Sequence, residues 1–205
     1  MTEPIKQRAT VRTNDTPGSV CRIDVKPVTF ASLWAGYPSG HPYVDPKTGK
    51  PPAGYSNQCA IKVSVAIHNA GIDMKSYRTK DKILVNGKNT AAVAENLAAW
   101  LKQMPFCGLP QQAENVTGKD WESKIKGRTG IVFFADYWKR TAEEQAPTGD
   151  HIDLWNGSRL TGNAANIARR LGLTSMQWLP NIGPLADYNF SDLAGSKTIL
   201  FWEIK

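Results

Sequence analysis

Nowhere in these 205 residues does an apolar run approach the roughly 18 positions that a membrane-spanning helix needs. Residues 1–26 also hold no hydrophobic segment leading to a cleavage site. The expectation is a soluble chain made in the cytoplasm, without membrane insertion and without a signal peptide. Cysteine is scarce. Cys21, Cys59 and Cys107 form an odd set with no CxxC spacing, so no disulfide framework is expected, and a single bridge would leave one thiol over, expected at Cys59. Histidine is as scarce, with His41, His68 and His151, and no HxxxH pair, which argues against a zinc site. No GxxxxGK[ST], no GxGxxG after a strand and no GxSxG occurs, which disfavours nucleotide enzymes and serine hydrolases of those types and leaves no cofactor to expect. The net charge of +7 is spread along the chain, with no Lys/Arg cluster interleaved with aromatics, so nucleic acid is not the expected partner. An anionic protein, a wall polymer or plain solvation of the surface accounts for it equally.

What is present is an ordinary globular composition. Hydrophobic residues make up 41% and charged residues 21%, with seven Trp, enough for one core. Residues 1–27 are polar, carry the turn chemistry Asp15-Thr16-Pro17-Gly18 and show no period; they read as a loosely attached N-terminal segment ahead of a domain over 28–205. Thr29 is the expected N-cap of a short helix with Phe30, Leu33 and Trp34 on one face. Prolines and glycines from Gly36 to Gly54 then impose a long loop that delivers the chain to Cys59.

The stretch after Cys59 supports two readings. Ile61, Val63, Val65 and Ile67 alternate as a strand would. A helix would instead align Cys59, Val63, Ala66 and Ala70, start at Ser56 or Asn57 and stop at Gly71. Local sequence leaves both open. Further on, Thr90–Met104 and Asp120–Lys126 read as helices, Ile131–Ala135 as a buried strand, and His151–Trp155 as a strand closed by Asn156-Gly157 with Arg159–Thr161 returning. Asn163 is the expected cap of a helix through Arg170, Pro180–Asp187 reads as loop, and Lys197–Ile204 as a last strand. Helices first and strands afterwards suggest an α+β fold with an antiparallel sheet.

Chemistry gathers at two places. A cysteine is a nucleophile only as thiolate, and an imidazole that takes its proton serves as base and counter-ion. On a strand, His151 and Asp153 project to the same face, so the carboxylate can orient the ring and stabilise its cation. Asn163 is the alternative orienter, as an amide. Each residue also has a plain structural reading: Cys59 as an inert core thiol, His151 as a sheet histidine satisfied by its neighbours, Asp153 as the partner of a Lys or Arg across the strand. His68 and His41 read as surface residues.

The segment Asn57-x-Cys59-x-Ile61-Lys62-x-Ser64 with Gly71, together with His151-Ile152-Asp153-Leu154-Trp155-Asn156-Gly157-Ser158, resembles the type VI secretion amidase effectors of the fourth group, bacterial toxins related to NlpC-type peptidoglycan endopeptidases. Val132–Trp138 and Ile199–Ile204 carry the same likeness, which covers roughly residues 28–205. The resemblance implies a papain-like α+β fold in which a helix carrying Cys59 packs on an antiparallel sheet. It implies hydrolysis of the γ-D-glutamyl–diaminopimelate bond in peptidoglycan stem peptides, with Cys59 as nucleophile and His151 as proton shuttle. The family's acidic third residue, placed after the hairpin, falls on Gly162-Asn163 here, so Asp153 and Asn163 both stand for that role. A cognate immunity protein, a secretion apparatus and action in the periplasm of a target bacterium are implied as well. A housekeeping or phage NlpC-like wall hydrolase, and a non-catalytic wall-binding domain of the same fold, are the alternatives.

Overall fold

The structure, a computed structural model, describes residues 27–139, 145–161 and 193–205, and the backbone of two short strands, Arg8–Arg12 (β1) and Val20–Asp24 (β2). Those strands pair antiparallel with Arg8 opposite Asp24 and Arg12 opposite Val20, so the N-terminal segment read as having no period contains a hairpin. The chain divides into two compact units, one of Met1–Gln112 with Glu203–Lys205, the other of Ala113–Trp202.

In the first unit, α1 (Phe30–Ala35) starts as expected. The Thr29 hydroxyl accepts from Ser32 N, and Phe30 and Leu33 are buried. Past the Pro/Gly-rich loop comes α2 (Cys59–Asn69), a helix despite its alternating β-branched residues. Burial on several faces decides it: Ala60, Ile61, Val63, Ser64, Ala66, Ile67 and His68 are all inside. Small residues among them let α1 and the following hairpin approach closely, and that tertiary gain outweighs the local β preference. The helix ends in a Schellman arrangement: Ile72 N donates to Ile67 O at 3.1 Å and Gly71 N to His68 O at 2.9 Å, with Gly71 at φ +96°.

Strands β3 (Lys82–Val85) and β4 (Lys88–Ala91) follow, joined by Asn86-Gly87 with φ of +50° and +75°. The helix expected from Thr90 therefore starts later, as α3 (Ala94–Leu101), because Thr90 and Ala91 are used by the hairpin. Its start is held by Asp81, whose carboxylate accepts from Ala92 N, Val93 N and Asn96 Nδ2 as well as from the hydroxyls of Tyr77 and Thr79. Burial alone would raise the Asp81 pKa, but the donors from Thr79, Tyr77, Val93 and Asn96 together hold it below the usual carboxylate value. Burial, aided by that carboxylate, pushes the Tyr77 phenol upward.

The second unit is built on a four-stranded sheet in the order β5 (Glu114–Asn115), β8 (Thr198–Glu203), β6 (Gly130–Trp138), β7 (Gly149–Trp155). Helix α4 (Trp121–Ile125) turns Trp121 and Ile125 into a core with Val132, Phe134, Trp155, Ile199 and Phe201. Trp121 meets Phe134 and Trp155 edge to face at 4.9 and 5.4 Å. The expected order of helices before strands does not hold, since two hairpins precede α3. The α+β class and three of the four expected later strands do.

Candidate active site

Cys59 is the first residue of α2 and is partly exposed. A thiolate at that position faces the positive end of the helix macrodipole and its first-turn amides. The cap position falls on Gln58 and not on Ser56 or Asn57 as expected, although Asn57 Oδ1 accepts from Cys59 N at 3.4 Å. Gln58 occupies the cap without a capping side-chain bond, and its carbonyl accepts the first helical bond from Lys62 N at 2.8 Å. Its amide works on the preceding loop instead. Gln58 is buried, accepts from Tyr43 N at 3.1 Å and donates to Tyr43 O and Tyr55 O at 2.6 and 3.1 Å. The rings of Tyr43 and Tyr55 pack edge to face at 5.0 Å. That clip fixes where the long loop hands over to Cys59, and sequence reasoning assigned no role to Gln58 because its partners lie up to 15 positions away.

The other end of α2 carries His68, which is buried and not a surface residue. Nδ1 lies 2.8 Å from Ile72 O and Nε2 3.3 Å from Thr90 Oγ1, joining the helix end to β4. His41 is exposed, as expected.

In the second unit the structure brings His151 and Asp153 together on β7. Their side chains share a face, with Nε2 of His151 3.5 Å from Oδ2 of Asp153, both residues buried. Oδ1 of Asp153 accepts from Leu154 N at 2.8 Å and from the Thr161 hydroxyl. The His151 ring stacks on Phe134 at 6.2 Å and meets the edge of Tyr137 at 6.5 Å. Between those two aromatics β6 is irregular: pairing runs Phe134 to His151 and resumes at Trp138 opposite Gly149, and Asp136 sits at φ +50° with its N–H donated to Asp150 Oδ1 at 3.0 Å. Gly149 is required there, since a Cβ would lie 2.2 Å from the Trp138 indole nitrogen.

The turn after β7 differs in detail from the expected one. Asn156 N donates to Arg159 O at 3.0 Å, so Gly157 and Ser158 are its central pair, and Asn156 Oδ1 accepts from Ser158 and Arg159. The return is a single bridge, Trp155 to Leu160, in place of a strand over Arg159–Thr161. Asn163, the helix it was expected to cap and the loop Pro180–Asp187 lie outside the described residues. Among the described residues no helix is long and apolar enough to cross a membrane.

Residues 55–202 match the family model described as type VI secretion system (T6SS), amidase effector protein 4. No curated protein matches the chain by sequence. Among solved structures, the chain is similar to the crystal structure of the type VI effector Tae4 from Enterobacter cloacae, at 15% identity over 88% of this chain and 98% of that one, with a TM-score of 0.51. It also matches Tae4 from Salmonella typhimurium in complex with the immunity Tai4 from Enterobacter cloacae, at 16% identity over 74% and 77% of the chains and a TM-score of 0.45.

Proposed function

Since the chain belongs to the family of type VI secretion system amidase effector protein 4, and is thereby an antibacterial peptidoglycan amidase effector of papain-like α+β fold, we propose that its reaction is cysteine-dependent cleavage of the γ-D-glutamyl–diaminopimelate bond in wall stem peptides. The observation that carries the reading is the pair on β7: an imidazole 3.5 Å from a fully buried carboxylate, the constellation that orients a general base and stabilises its cation. Cys59, at the start of α2, attacks the scissile carbonyl as thiolate while His151 takes the thiol proton. His151 then returns that proton to the leaving diaminopimelate amine, and water activated by the same imidazole clears the acyl-enzyme. Asp153 is the favoured orienter, because its carboxylate lies 3.5 Å from the ring nitrogen. The amidase domain is taken as 28–205.

The setting follows from the same reading. The chain is made in the cytoplasm, is carried out by the secretion apparatus, and acts in the periplasm of the target. A cognate inhibitor of the kind named in the Tae4–Tai4 complexes protects the producer. The test is digestion of isolated sacculi with mass spectrometry of the released muropeptides. The wild-type protein should release fragments ending at D-glutamate. Cys59→Ala and His151→Ala should each abolish release while retaining the wild-type circular dichroism spectrum, and lysis by Cys59→Ala would remove Cys59 as nucleophile.

A further inference from the structure

We infer that Thr161 is a positioning residue of the amidase: by donating its hydroxyl to Oδ1 of Asp153, it aims the other carboxylate oxygen at His151. The inference rests on the proposed role of His151 as base. The hairpin brings Thr161 back over Asp153, its N–H donating to Leu154 O at 3.1 Å beside the Trp155–Leu160 bridge. Asn156 closes that hairpin with its own side chain. Asp153 is fully buried and Thr161 only 6% exposed, so the bond is made where water cannot replace it. Oδ1 also accepts from Leu154 N, but that donor is the next residue in the chain, moves with Asp153 and cannot by itself fix the carboxylate plane. Thr161 supplies an anchor eight positions away. The titratable groups that face the ring include the Asp153 carboxylate and the Tyr137 phenol, whose ring centroid lies 6.5 Å from that of the imidazole.

The experiment compares wild type, Thr161→Val and Thr161→Ser on a soluble stem tetrapeptide across pH, with Asp153→Asn alongside. Valine keeps the shape and removes the donor, so kcat should fall by about tenfold to a hundredfold with KM nearly unchanged. The weaker hold on the imidazolium should also move the basic limb of the kcat/KM profile to lower pH. Serine should restore both. A valine variant with wild-type kcat and pH profile overturns the inference. If valine prevents folding, Thr161→Ala against Thr161→Ser decides: loss in alanine and retention in serine support it, and equal rates overturn it. Wild-type activity in Asp153→Asn also overturns it but leaves Cys59 and His151 standing, whereas activity in His151→Ala sinks the reading beneath.

Discussion

Asp81 and Asp153 show what a carboxylate needs once its neighbours shut out water. Each is met by donors from elsewhere in the chain, Asp81 by residues between Tyr77 and Asn96 and Asp153 by Thr161. For Asp81 the folded-state pKa lies below the ordinary 3.8, so its stabilisation is complete above that value and is lost as pH falls through the depressed one. Asp81→Asn should lower stability by about 1–2 kcal/mol at neutral pH, at the low end for a charged acceptor because the group is only part-buried. The gap between variant and wild type should close below the carboxylate range, as urea melts at a series of pH values would read. At this scale the sequence is half legible. Cys59, His151 and Asp153 stand out by residue type and spacing. Gln58, Thr161 and the burial of His68 do not, because each depends on a partner that only the folded chain supplies.

Among the elements, α2 is the ambiguous one, and its outcome turns on what packs around it and not on its own period. Its stop is visible in sequence as Gly71, and the structure gives that glycine a definite duty at φ +96°, with nothing within 4 Å of where a Cβ would stand. Gly71→Ala should therefore cost about 1 kcal/mol from backbone strain alone, read as a shift of the urea midpoint. Gly40→Ala, with open space and no left-handed backbone, should leave the melting temperature unchanged. The hairpin of β3 and β4 escapes the sequence reading although Asn86-Gly87 carries the same turn signal used at Asn156-Gly157. The apolar repeat from Val93 onward draws the expected helix boundary back over Thr90, and Asp81, too far upstream to register as a cap, in fact sets it.

For the whole molecule, the domain boundary proposed at residue 28 is open to a direct test. Val28 N donates to Cys107 O at 2.8 Å and Phe30 N to Lys205 O at 2.9 Å, so residues 28–30 are tied to other parts of the first unit. A chain starting at Pro27, which keeps the Val28 amide intact, should digest sacculi at the rate of the full chain; a large loss would assign the N-terminal hairpin to the enzyme. The fold class is legible from the order and type of segments, while the division into two units is not, since it depends on Glu203–Lys205 belonging with residues that precede Gln112. That last assignment has a temporal consequence. A ribosome must translate the whole of Ala113–Trp202 before the first unit can receive its closing segment. Helix α1 thus waits, amide unmet at Phe30, until Lys205 has been added, so the nascent toxin completes its first unit only after its second has been synthesised.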